Sequence, residues 1–392
     1  MKYNFDEIID RSNTNCEKYD MREAIFGTND LIPLWVADMD FRVAEPILNA
    51  LRTRIEHKVF GYSFQSELYY QSIINWQKRR NNWNVEREWI AHCPGVVPGL
   101  NFAVMALTNE NDKIVIMPPI YQPFFNAVTD HKRILLENNL KHRNLDYFID
   151  FDDLEEKLKE AKILIFCNPH NPVGRVWTRG ELEKVAELCI KYNIIILSDE
   201  VHSDLIFHPH KHIPIATLSP EIADLCITFF APNKTFNVAG FATAVAVASN
   251  KKLYDEYTAM VKRLHLTEGN ICGAIALEAA YNHGEEWLEQ MLDYVFENAK
   301  FVADFFEKNM PKIKANIPEG TFLQWLDFSE LGLTQDELVD FLTKDAKVGL
   351  NDGRFFSPTA GIGFMRLNLA CSRLLIVKAL NQILEAYKNR QF

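Results

Sequence analysis

Short, unbroken apolar runs recur through the middle of the chain, at residues 113–117, 162–167, 194–197, 227–230 and 243–247. Continuous rather than alternating hydrophobicity marks strands covered on both faces. Helical periodicity lies between them. In the segment 178–190, Leu182, Val185, Ala186 and Cys189 fall on one face, and Thr178 stands as an N-cap with Glu181 three residues later. Strand, helix, strand in succession predicts an α/β architecture with a mainly parallel sheet. The step from Phe230 to Thr243 is too short for a crossover helix if its loop also carries a site, which predicts that residues 243–247 run antiparallel to their neighbours. From Glu285 onward the pattern changes to long amphipathic helices (Trp287, Leu288, Met291, Leu292, Val295, then Phe301, Val302, Phe305, Phe306), followed by strand-like segments 322–326 and 364–369. A second, smaller α+β domain follows from this. No Ser/Gly linker, charge block or internal repeat separates the two, so they are expected to pack directly on one another.

Composition narrows the class. With 392 residues, 48% hydrophobic and 24% charged, the chain is an ordinary folded one and not a collagenous, low-complexity or disordered one. Its 42 basic against 53 acidic residues leave a net charge of -11, which argues against a nucleic-acid or anionic-lipid partner. Asp6 and Glu7 stand where a secretory leader would be basic, and no apolar run approaches the ~18 residues of a bilayer span, so the expectation is a cytoplasmic protein with no membrane partner. The seven cysteines are scattered without a Cys-x-x-Cys pair and read as mostly buried apolar side chains.

Nucleotide signatures are weak. The one Gly-x-Gly, Gly361-Ile362-Gly363, lacks both the third glycine and a strand-to-helix context, and there is no phosphate-loop motif. His208-Pro209-His210-Lys211-His212 looks like an exposed loop rather than a metal site, and no metal is expected. Three other segments say more. Asn168-Pro169-His170-Asn171-Pro172-Val173-Gly174 follows one buried strand, Ser198-Asp199-Glu200-Val201-His202 ends the next, and Ala231-Pro232-Asn233-Lys234 follows the one after. An Asn, an Asp and a Lys thus converge on the carboxyl edge, where open α/β sheets bind ligands. A desolvated Lys becomes a neutral amine able to form a Schiff base, and an ionised Asp keeps a pyridine nitrogen protonated. Together they point to pyridoxal 5′-phosphate. Each also has a bland reading, as a solvated Lys or as a turn-forming Asp or Asn.

These motifs resemble the fold type I pyridoxal-phosphate enzymes of the aminotransferase superfamily. Residues 33–41, Pro94-Gly95-Val96-Val97-Pro98, residues 167–176, Lys234-Thr235-Phe236-Asn237 and Arg366-Leu367-Asn368-Leu369 look more closely like its cystathionine beta-lyase branch, the carbon–sulfur lyases of MalY/PatB type. The resemblance runs from about residue 10 to the C-terminus. It implies a seven-stranded, mainly parallel sheet with helices on both faces plus a smaller α+β domain. The division would be residues 1–45 as a segment packing with the small domain, 46–285 as the coenzyme-binding domain, and 286–392 as the small domain.

Roles follow by position. The resemblance makes Lys234 the Schiff-base lysine and α-proton base, Asp199 the partner of the pyridine nitrogen, and Asn171 a donor to the ring hydroxyl. It places His202 where many relatives have a Tyr contacting that hydroxyl, and makes Tyr121 the aromatic stacked on the ring. The phosphate would sit on the backbone of Val96 and Val97 at a helix N-terminus, and Tyr62 would reach the phosphate of a neighbouring subunit, implying a homodimer with shared active sites. Arg366 would clamp the substrate carboxylate, with Asn171, Val36 and Ala37 beside it. Ordinary alternatives are a structural histidine at 202, a packed aromatic at 121 and a surface ion pair at 366. Two positions depart from the pattern: Asn233 replaces the branch's usual Ser, and Ala242 stands where the main aminotransferase branch has Arg.

The implied reaction is β-elimination from L-cystathionine or a related cysteine S-conjugate, giving a thiol such as homocysteine, pyruvate and ammonia, as in methionine biosynthesis. A class I/II aminotransferase would use the same residues, and a coenzyme-binding regulatory protein is a third reading.

Overall fold

The computed structural model describes residues 2–392. At its centre is a seven-stranded sheet built from β1 (Ile90–Cys93), β2 (Lys113–Ile116), β3 (Ile134–Glu137), β4 (Ile163–Cys167), β5 (Ile195–Asp199), β6 (Cys226–Phe230) and β7 (Ala244–Val247), in the spatial order β1-β7-β6-β5-β4-β2-β3. Only β7 is reversed, with Val245 opposite Phe230 on one side and Ala244 opposite Cys93 on the other. The other pairings are parallel. The reversal expected from the short link is therefore present, and that link carries one helical turn, Pro232–Thr235, and a second short one at Ala239–Phe241.

Every residue of β4, β6 and β7 is buried, which is why these strands read as unbroken apolar runs. Alternate residues of β4 serve two cores: Leu164 and Phe166 face one, Ile163, Ile165 and Cys167 the other. The first core is clothed by α4 (Arg179–Tyr192), α6 (Ile271–His283) and α7 (Glu285–Asn309), the second by α3 (Val96–Leu107) and α5 (Lys251–Arg263). α1 (Glu45–Glu56) and α2 (Glu67–Asn81) pack on α6. The Thr178/Glu181 capping box opens α4 as expected. The two edge strands, β1 and β3, were missed by the apolar-run criterion: one is interrupted by His92, and the other has a half-exposed Ile-Leu-Leu-Glu sequence.

Beyond α7, a single continuous helix, lie β8 (Lys314–Ala315), β9 (Leu323–Asp327), β10 (Asn351–Asp352) and β11 (Phe364–Asn368), an antiparallel sheet in the order β8-β9-β11-β10 closed by α8 (Arg373–Asn389). Trp325 of β9 stacks on Phe364 of β11 at 5.3 Å between ring centres. Near the N-terminus, Ile32–Pro33 pairs in parallel with Val348–Gly349, and Phe5 meets Trp287 edge-on at 5.8 Å. Among the described residues no helix is long and apolar enough to cross a membrane.

Candidate active site

Parallel strands deliver their successors to one edge of the sheet, and five of them do so here. Gly95 follows β1, Tyr121 follows β2, Asn171 follows β4, Asp199 ends β5 and Lys234 follows β6. The strands are locked in register at this edge: Cys167 lies opposite Asp199, Asp199 opposite Phe229, and the Glu200 amide donates to the Phe229 carbonyl at 2.8 Å. Arg366 arrives from the small sheet on β11. Its Nη1 donates to Asn171 Oδ1 at 3.1 Å and its Nη2 to the Trp35 carbonyl at 2.9 Å, while Nε is buried without a partner. The guanidinium lies 4.8 Å from the centre of the Phe356 ring. The residue is buried, so the surface ion pair considered from sequence is not what forms.

The electrostatics are those of groups held out of water without full compensation. Burial, then the nearby Arg366 charge, pushes the Lys234 amine down to about 8, against the pull of Asp38 and Asp199. Its Nζ donates to the Ala37 carbonyl at 2.6 Å. Burial raises the Asp199 carboxyl to about 7, although the Val201 amide donates to its Oδ1 at 3.0 Å. Burial also lowers Arg366 to about 10 and raises the Tyr121 phenol. His202 is buried beside Phe322, its Nδ1 unpartnered, and burial first, then Lys234 and Arg366, hold it well below the usual imidazole range. It is therefore neutral, able to accept or donate one hydrogen bond.

At the edge of β1, Gly95 brings no side chain to cap α3, and the first turn of that helix carries no acidic residue. The amides of Val96 and Val97 are thus among the donors that a helix start leaves without intrahelical partners, beside the positive end of its dipole. Tyr121 is half-buried with its ring 6.0 Å from that of Phe355. Asn233 Oδ1 is buried without a partner. Val36 and Ala37 lie in the segment that crosses in front of Lys234. Tyr62 stands apart, fully exposed in a segment without regular structure. Among the described residues no group of three or more His, Cys, Asp or Glu side chains is gathered to hold a metal.

Several groups went unread in the sequence. Asn237 holds residues 39–41 from both ends of its amide, accepting from the Met39 N–H and donating to the Met39 and Phe41 carbonyls, each at 3.0 Å. Asn368 donates to the Val36 and Asp38 carbonyls, both at 2.6 Å. Both asparagines stand inside motifs quoted for Lys234 and Arg366, and that proximity was the available signal. Asp204 is buried, accepting from Trp76 Nε1 at 3.1 Å and from Thr235 Oγ1 at 2.9 Å, and so anchors the turn that carries Lys234. The reading of residues 208–212 as wholly exposed is corrected at one end. His208, His210 and Lys211 are exposed, but the His212 side chain is 2% exposed and bonds the buried Glu200 carboxyl at 2.8 Å. An isolated buried carboxylate would be costly, which is why a polar-looking loop sends one histidine inward.

Comparison with known proteins agrees with this geometry. The chain is 40% identical over 382 residues to cystathionine beta-lyase PatB of Bacillus subtilis, covering 97% of this chain and 98% of that one. It superposes with a TM-score of 0.97 at 34% identity on cystalysin from Treponema denticola, whose crystal structure contains a pyridoxal 5′-phosphate cofactor, each covered in full (100%). The PLP-bound C–S lyase from Staphylococcus hominis gives a TM-score of 0.92 at 33% identity over 98% of each chain. The sequence profile of aminotransferase class I and II matches residues 31–383, and the chain, with its lysine, aspartate and arginine gathered at one sheet edge, belongs to that family.

Proposed function

We propose that the chain is a pyridoxal 5′-phosphate-dependent carbon–sulfur β-lyase that cleaves L-cystathionine or a related cysteine S-conjugate to a thiol, pyruvate and ammonia. The observation that carries the reading is the meeting of Lys234, Asp199 and Arg366 at one sheet edge, close enough that Asp199 and Arg366 both act on the lysine's charge, each with incomplete compensation for its desolvation. The residues fit the coenzyme. A carboxyl raised to about 7 with one amide donor has room for a cationic ring nitrogen, and an uncapped helix start suits a phosphate dianion. The likeness to PatB and to coenzyme-bound lyases points the same way.

When bound, pyridoxal phosphate supplies an aldehyde that takes up the substrate amine and a ring that draws electrons from the α carbon. The protein's residues do the rest. Lys234, poised as a neutral amine near pH 8 and aimed by the Ala37 carbonyl, is the base at the α hydrogen. Asp199 would keep the ring nitrogen protonated, and Asn171, whose Oδ1 accepts from Arg366, would offer its amide N–H groups to the ring hydroxyl. Arg366 fixes the substrate carboxylate with the geometry of a two-pronged donor, as its unpartnered Nε allows. Tyr121 offers a flat face to the ring, His202 a neutral ring nitrogen, and Asn233 an unsatisfied oxygen. Val36 and Ala37 line the carboxylate side.

The side chains of Val59, Phe60, Tyr62, Phe64 and Leu68 are exposed, as are those of Leu264 and Leu266, and Gln65 Nε2 donates to the Glu268 carbonyl at 2.5 Å. This surface supports a homodimer in which Tyr62 reaches the partner's phosphate site. Incubation with L-cystathionine tests the reaction: pyruvate and thiol should appear with no keto acid added. Formation of keto acid only in the presence of an amino acceptor would make the protein an aminotransferase instead.

A further inference from the structure

Residues 35–41 form a strap whose backbone is gripped by the site on both sides. Arg366 takes the Trp35 carbonyl, Asn368 those of Val36 and Asp38, Lys234 that of Ala37, and Asn237 those of Met39 and Phe41. The strap also bears two acidic side chains, Asp38 and Asp40, on which two cations from the N-terminal segment close. Arg11 meets Asp38 at 2.5 Å and Asp40 at 2.6 Å. Lys18, whose side chain is 0% exposed, lies 3.4 Å from Asp38 and 3.1 Å from Asp40, and donates to the Asp38 carbonyl at 3.3 Å. Tyr19 adds a 3.3 Å hydrogen bond to Asp40, and the Trp35 indole N–H donates to the Lys18 carbonyl at 3.1 Å.

A fully buried lysine is costly unless it is paired, and two charges of each sign make this cluster neutral as a whole. Nothing in the reaction itself requires it. We propose that Lys18 is a positioning residue, which by neutralising Asp38 and Asp40 fixes the strap carbonyl that aims Lys234 and sets the field in which that amine gains and loses its proton.

The charged and titratable groups facing Lys234 are Arg366, Asp38, Asp199, Glu17 and His202. Asp38 is the one among them whose charge the N-terminal segment masks. Burial drives the Asp38 carboxyl up, but Lys18 and Arg11 outweigh it and hold the group below its ordinary value, so it is a permanent anion. Removing Lys18 leaves the cluster one charge negative, and removing Asp38 leaves it one charge positive. The two changes push the proton on Lys234 in opposite directions, whereas simple loosening of the fold would push both the same way.

This inference rests on the coenzyme-dependent reading above, and the experiment keeps the two apart. The pH titration of the bound coenzyme's visible absorption is recorded for the holoenzyme and for Lys18→Met, Asp38→Asn, the double variant and Lys18→Arg. With an effective dielectric constant near 20, one unmasked charge should raise the midpoint by about 0.5–1 pH unit in Lys18→Met and lower it by a similar amount in Asp38→Asn. The double variant, neutral again, should return toward the parent, and Lys18→Arg should stay near it. Midpoints that do not move, or that move together, overturn the proposal. Should Lys18→Met fail to accumulate, Asp38→Asn decides: a lowered midpoint supports the assignment and an unchanged one overturns it. A parent protein with no visible absorption would refute the coenzyme reading instead.

Discussion

The amine of Lys234 offers the sharpest test of the site's electrostatics. An ordinary lysine, at 10.5, is about 0.1% neutral at pH 7.5, whereas one at about 8 is about 24% neutral, a gain of roughly two hundredfold in the form that attacks an aldehyde. Burial makes the larger contribution, since a charged ammonium loses its hydration in the site, and the Arg366 guanidinium adds like-charge repulsion. The perturbation is pH, applied to protein stripped of coenzyme, and the assay is the rate at which added pyridoxal phosphate regains its bound absorption. The rate should rise through a midpoint near pH 8. Arg366→Met removes the repelling charge while keeping bulk, so its midpoint should shift upward, toward that of an unperturbed lysine. A parent midpoint above about 9.5, or an Arg366→Met midpoint below the parent's, would show that the amine is not desolvated as the structure has it, because each pH unit is a tenfold change in the neutral fraction.

Other outcomes follow from the same geometry. Asp199→Asn keeps the shape but loses the charge that retains a ring-nitrogen proton, so keto-acid formation from cystathionine should fall by about two orders of magnitude or more, in the range of lost electrostatic groups, with the circular dichroism spectrum unchanged. Arg366→Leu removes charge-assisted hydrogen bonds of about 1.5–3 kcal/mol and should raise KM for amino-acid substrate by roughly ten- to a hundredfold, read from initial rates. Coenzyme-free protein should lose stability as the pH climbs from about 4 to about 7. Folded Asp199, at about 7, holds its proton through that window while the unfolded chain has already released it; a denaturant series at fixed pH values measures the slope, which Asp199→Asn should flatten. Thr178→Ala breaks the capping box of α4 and should cost about 1 kcal/mol in the same assay, with no change in the coenzyme's absorption.

How much of this was legible beforehand depends on the range of the interactions. Burial on both faces writes itself into a strand's own residues, so β2, β4, β5, β6 and β7 were readable as apolar runs. The reversal of β7 followed from the length of a single link. A capping box is complete within four residues, and Thr178 with Glu181 was equally plain. Edge strands answer to one neighbour only, so β1 and β3 carry no such signature.

The candidate residues divide in the same way. That Lys234, Asp199 and Asn171 share an edge is dictated by chain order, because each follows or ends a parallel strand. Sequence by itself thus determined the sheet, the edge and the kind of chemistry assembled there. Only the tertiary structure decided that Arg366 crosses from the small sheet to Asn171, that Ala37 supplies the carbonyl for Lys234, that Asn237 and Asn368 hold the strap, and that Lys18 and Arg11 close on Asp38 and Asp40. These partners stand up to about 330 residues apart, and no local pattern records them. A strand's environment is fixed by its own side chains, but a charge taken out of water is fixed by whichever distant group the packed chain brings to it.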